Sequence, residues 1–170
     1  MTIKLDLTIP SVVTFGMVLE ANDIAHSIHI YDEYGNSGKP YYPYHLRNVQ
    51  RRVIKRATEL GFSQDVIYVL AIIAILHDAH EDHAFSIERL RELFGDIVAE
   101  AVLCISYKKG KETRRDYYKR VAKNHWAAFV KIFDGEENAY NSELEGNMTR
   151  HEYYKSMIEF IKERSGIANI

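Results

Sequence analysis

The sequence predicts an all-α chain folded as one domain. Three observations carry this. Prolines occur only at positions 10, 40 and 43, so nothing after Pro43 forbids a helix. Apolar residues recur three and four apart through most of the chain. Ser, Thr and Gly stand where those apolar runs begin and end.

The elements follow in order. Residues 1–10 alternate partly, through Ile3, Leu5, Leu7 and Ile9, which suits a short strand or an extended arm. Residues 13–32 carry Val13, Phe15, Val18, Ala21, Ile24, Ala25 and Ile28 at helical spacing. "YGNSGKPYYP" breaks the chain with Gly and Pro. A helix is expected from about Tyr44 to Leu60, stopped at Gly61. Ser63 caps the next, which runs through Leu76 and His77. Ser86 caps "SIERLREL", ended by Gly95, and "DIVAEAVLCI" forms another helix. "KKGKETRR" is a polar loop. Helices at 116–123 and at 127 to about 141 follow. Thr149 opens a last helix with Glu152 in capping-box spacing. The count is seven or more helices, with no repeat and no linker.

The totals narrow the function classes. Hydrophobic residues at 46% and charged residues at 27% are those of a soluble globular chain, and 170 residues suffice for one real core. A net charge of −2 provides no global basic field for a nucleic acid polymer. The single Cys104 excludes an internal disulfide and fits a reducing compartment. The N-terminus lacks the basic and apolar regions of a signal peptide. The longest apolar run, Val66 to Leu76, has 11 residues, against the roughly 20 of a membrane span. A cytoplasmic protein without membrane contact is expected. An oligomer stays open.

The chemistry concentrates in "AIIAILHDAHEDHAF", residues 71–85. His77 and Glu81 are four apart, as are Asp78 and Asp82, so on a continuous helix these pairs share faces. The group stands where an apolar helix leaves the core, and clustered acids and imidazoles there are costly without a cation. A divalent metal accepts imidazole nitrogen and carboxylate oxygen together. Further ligands must come from other helices. His45 follows the Gly/Pro loop, and Asp134 in "VKIFDGEEN" follows another apolar stretch. Two imidazoles and two carboxylates leave open positions for water and a phosphate oxygen, as a hydrolytic metal site requires.

The order His45, His77-Asp78, Asp134 resembles the HD-domain superfamily of metal-dependent phosphohydrolases. Within it, the pattern is similar to the hydrolase domain of RelA/SpoT-type alarmone enzymes and their small single-domain relatives. "SGKPY" is similar to SGEPY, and "LHDAHED" to LLHDxxED. "SIERLRELFGDIVAEAV" is similar to TLEEIEELFGxxVAxLV. "VKIFDGEEN" is similar to VKLADxxxN, keeping Lys131, Asp134 and Asn138. The resemblance spans residues 20–145 or so. It implies an HD-type helical bundle and a metal, usually manganese, held by His45, His77, Asp78 and Asp134. It implies that Glu81 and Asp82 orient or activate the attacking water and that Asn138 helps hold the nucleotide. The implied reaction removes pyrophosphate from the 3′ position of ppGpp or pppGpp.

The departures from that pattern fall on base recognition. Gly35 and Asn36 stand where an Arg-Lys pair is common, and Lys39 replaces the glutamate of SGEPY. His45 lies one residue further from Tyr41 than usual, Leu46 replaces a common proline, and Gly135 replaces arginine or leucine. Tyr41 and Tyr140 are candidates for nucleotide contact, and Arg47 or Arg51 for a phosphate. "KKGKETRR" is either a solvated loop or a basic loop that steers an anionic nucleotide. His80 is expected to face solvent; His26, His29, His125 and His151 have no partner visible in sequence. Two other readings keep the scaffold: an HD-type nucleotidase or deoxynucleoside triphosphate hydrolase, and a non-catalytic nucleotide-binding module. The intact Glu81 and Asp82 argue against the latter.

Overall fold

The structure, a computed structural model, describes residue 9 and residues 12–167. The strand or arm expected over 1–10 lies outside the described residues, apart from Ile9. Nine α-helices and one π-helical turn follow among the described residues. They are α1 (Phe15–Ile28), the π-turn (Tyr42–Leu46), α2 (Arg47–Glu59), α3 (Gln64–Leu76) and α4 (Ala79–His83). Then come α5 (Ile87–Phe94), α6 (Asp96–Ile105), α7 (Arg114–Ala122), α8 (His125–Leu144) and α9 (Met148–Ser165). None of these helices is long and apolar enough to cross a membrane.

Caps explain most boundaries. Thr14, Ser63, Ser86, Thr113, Asn124 and Asn147 each accept a bond from a backbone N–H of the first turn they open. Asn124 and Asn147 shift two expected starts. α8 begins at His125 rather than Ala127, and α9 begins at Met148, with Thr149 inside its first turn rather than capping it. α1 stops at Ile28, four residues short of expectation. There the chain turns back on itself: Tyr34 N donates to Lys39 O and Tyr41 N to Asp32 O, both at 2.8 Å. This small antiparallel loop fixes where Tyr41 enters the next helix.

α3 and α8 form the centre. α3 is almost wholly apolar and buried from Val69 to Leu76, packed by α1, α2, α6 and α8. α8 is covered by α2, α6, α7 and α9. The α8–α9 contact depends on Gly135. A Cβ there would stand 2.9 Å from Ile158 Cγ1 and would overlap Met157. The absence of a side chain at this position lets α9 lie close across α8.

Candidate metal centre and adjoining cleft

Four side chains converge from three elements. The π-turn delivers His45. This π-turn holds one residue more than an α-helical turn between Tyr41 and the start of α2, and His45 stands within it. The α3–α4 junction delivers His77 and Asp78. The sequence predicts one continuous helix here, but α3 ends at Leu76 and α4 starts only at Ala79. The cause is local: His77 turns its ring back so that Nδ1 meets Ala74 O at 2.7 Å, and Asp78 adopts φ −98° and ψ −6°. α8 delivers Asp134 from its buried middle.

His45 Nε2 lies 3.1 Å from Asp134 Oδ1 and 3.8 Å from Asp78 Oδ2. His77 Nε2 lies 2.9 Å from Asp78 Oδ2 and 3.5 Å from Asp134 Oδ1. His77 is fully buried, and its Nε2 makes no hydrogen bond although two carboxylate oxygens face it. With Nδ1 donating to Ala74 O, Nε2 is the nitrogen turned to the carboxylates; they favour its protonated form, and an ion bound there would take the place of that proton. His45 Nδ1 is likewise buried without a partner. A buried imidazole nitrogen aimed at two carboxylates is a donor set that a divalent cation fits. His45, His77 and Asp134 each offer a donor atom within 4.8 Å of the others.

The surrounding charges hold the acids ionised. Burial opposes charge on Asp134, but Lys131 Nζ at 2.7 Å and the two imidazoles outweigh it and keep the carboxyl well below its usual range. Burial likewise opposes charge on Asp78, and His77 overcomes it. Tyr41 Oη donates to Asp78 Oδ2 at 2.5 Å, fixing that carboxylate. Asp82 behaves oppositely. Burial, then Asp78 and Glu81, push it up to about 6. Glu81 accepts from Tyr107 N at 2.7 Å, which ties α4 to the loop after α6.

A cavity of about 230 Å³ opens above the cluster, lined by His45, Asp78, Glu81, Asp82, Lys131, Asp134 and Asn138 among others. A second, about 530 Å³, adjoins it through shared walls of Tyr41, Asn138 and Tyr154. Asn138 donates to Asp134 Oδ1 at 2.7 Å and accepts from Tyr34 Oη at 2.7 Å. Arg47 lines neither cavity. Its Nη1 donates to Asn22 at 2.7 Å and Gln50 at 2.8 Å, which ties α2 to α1 rather than reaching toward a phosphate. Tyr140 is exposed and also lines neither cavity. His80, half-buried rather than exposed, bonds Phe85 O at 2.9 Å.

The residues missed in sequence come mostly from α9. Tyr153, Tyr154 and Met157 line the smaller cavity, and Arg150 and Tyr154 the larger. Their spacing is one helical face, a stripe that sequence alone does not separate from core packing. Tyr34 was also missed; its ring stacks on His45 with centroids 5.3 Å apart. Arg114, from the end of the basic loop, lines the smaller cavity while its guanidinium lies 3.9 Å over the Tyr107 ring. Gly35 and Asn36 line the larger cavity.

No family model matches the chain, and no curated protein matches it. Among solved structures the fold is similar to a metazoan ortholog of SpoT that hydrolyzes ppGpp and plays a role in starvation responses. The TM-score is 0.70 and the identity 19%, over 91% of this chain and 88% of that one. The likeness is one of fold, an all-α helical bundle as expected from the sequence.

Proposed function

We propose that the chain is a metal-dependent phosphohydrolase that removes pyrophosphate from the 3′ position of ppGpp, with manganese as its ion. The buried His77 Nε2 facing Asp78 and Asp134 beside His45 carries this reading. The fold it shares with a ppGpp hydrolase supports it. His45, His77, Asp78 and Asp134 would hold the ion. Bound there, a divalent ion supplies Lewis acidity toward water and a phosphate oxygen. The other roles belong to the chain. Lys131 keeps Asp134 ionised. Tyr41 orients Asp78. Asp82, with its raised basicity, takes the proton from the attacking water, and Glu81 positions that water from its anchor on Tyr107. Water oxygen bonds to phosphorus, the bond from phosphorus to the 3′ oxygen breaks, the proton taken by Asp82 passes to the 3′ oxygen, and the products are GDP and pyrophosphate.

The larger cavity takes the nucleoside in this reading. Asn138 sits at the boundary of the two cavities. Tyr34, Tyr154 and Arg150 supply aromatic and guanidinium surface for a base where Gly35 and Asn36 supply none. The same two small residues favour a second reading, an HD-type nucleotidase or deoxynucleoside triphosphate hydrolase acting on another nucleotide. A substrate panel separates them. With manganese, the protein is incubated with ppGpp, deoxynucleoside mono- and triphosphates, and NADPH. Pyrophosphate and GDP from ppGpp are expected. Release from another nucleotide and none from ppGpp establishes the second reading. Tight ppGpp binding with no turnover of any substrate makes the chain a binding module.

A further inference from the structure

A second set of donor atoms lies on the other side of the Tyr41 ring. His29 follows the last residue of α1, Asp32 stands three residues on, and His83 ends α4. His29 Nδ1 and His83 Nε2 approach the same oxygen, Asp32 Oδ2, at 2.7 and 2.5 Å. The two imidazoles meet edge to face, centroids 4.5 Å apart. One donor atom from each of the three residues lies within 4.8 Å of the others. His29 is 1% exposed, and Nδ1 is the ring nitrogen it turns toward Asp32. The Tyr41 ring is 5.3 Å from His29 and 5.0 Å from His45, so it packs on one histidine of each group.

The cavity beside it has a volume of about 440 Å³. Its lining includes three carboxylates, Asp32, Glu33 and Asp82, and no lysine or arginine. Such a wall repels a phosphate and attracts a cation. Two imidazole nitrogens with one carboxylate oxygen suit a zinc-class ion, whereas magnesium and calcium favour oxygen sets. We propose that His29, Asp32 and His83 form a second divalent-metal site that takes a zinc-class ion and leaves its remaining positions to water. The site shares no ligand with the first, since its ligands come from the α1 end, the following loop and the α4 end, although Asp82 lines the cavities of both.

The test is metal stoichiometry of the full chain, read by equilibrium dialysis with zinc(II) alone. The wild type is expected to bind two equivalents. His83→Ala and Asp32→Asn, both at partly exposed positions, are each expected to lose one equivalent with circular dichroism and melting unchanged. Asp78→Ala addresses the first site, and the equivalent that depends on His83 is expected to survive in it. Failure of the first site and failure of this one are therefore distinguishable. Unchanged stoichiometry in His83→Ala and Asp32→Asn overturns the proposal. A measurement without variants decides it too. In the metal-free wild type, zinc(II) is expected to shift the imidazole resonances of both His29 and His83, and unmoved resonances at saturating zinc overturn it.

Discussion

The floor and the far wall of the cleft are built differently. The floor, His45, His77, Asp78 and Asp134, hangs on the buried centre of the molecule, with α3 and α8 fixing three of its four residues. The far wall, Arg150, Tyr153, Tyr154 and Met157, belongs to α9, which is laid over α8 through the gap at Gly135. A rigid core element positions chemistry; a docked outer helix shapes what enters. Changes to the floor should therefore abolish turnover, and changes to the wall should alter substrate affinity while leaving the metal.

The largest expected effect is Asp78→Ala. It removes one ligand and the acceptor of Tyr41, and activity and metal content should fall by more than about 100-fold, with helicity by circular dichroism retained. Asp82→Asn follows. Loss of the proton acceptor should lower kcat by about 100-fold or more while metal content stays. In the wild type the rate should fall as pH drops through about 6, where Asp82 becomes protonated, and the variant should lack that limb. Stability should move the other way. Asp82 is raised in the folded state, so its ionised form costs the fold; the penalty is full above about 6 and gone below its unfolded value. In the metal-free protein at neutral pH, Asp82→Asn should melt higher by about 1–3 °C, and that gain should vanish in acid.

Wall changes come next. Arg150→Ala should raise KM by about tenfold with kcat and metal stoichiometry unchanged. Equal loss in kcat would move Arg150 from wall to floor. Gly135→Leu should loosen α9, costing about 1–3 kcal/mol by overpacking against Ile158, with a lower melting temperature and weaker substrate binding. The smallest effect should come from deleting Tyr42. If the π-turn only absorbs one residue, the deletion should leave an α-helical turn, and the metal equivalent should remain. Its loss would show that the π-turn itself aims His45.

The floor was legible in sequence because ligand chemistry restricts residue types at fixed places: an acid or imidazole on the heel of an apolar helix stands out at His77-Asp78 and at Asp134. The helix break at His77-Asp78 was not legible. It follows from the His77 ring bonding Ala74 O, a side-chain choice that periodicity does not encode. The early end of α1 was hidden for a similar reason, since Ile28 fits a helical stripe while the loop bonds of Asp32, Tyr34 and Tyr41 end it. Arg47 looked like a phosphate ligand by its nearness to His45, and long-range bonds to Asn22 turned it elsewhere. The α9 wall was invisible because Tyr153, Tyr154 and Met157 have the spacing of any packed helix. His29, Asp32 and His83 were unassignable because 51 positions separate Asp32 from His83, and only the fold brings them together.

The central claim is that the His45/His77/Asp78/Asp134 floor hydrolyses the 3′-diphosphate of ppGpp through a bound divalent ion. The most direct measurement is pyrophosphate release from ppGpp by the manganese-loaded wild type and by Asp78→Ala, with bound manganese counted in both. Pyrophosphate and GDP from the wild type, and neither from a folded, metal-depleted Asp78→Ala, is the predicted result. Equal release from both proteins, or no release from a wild type that holds manganese, would contradict it.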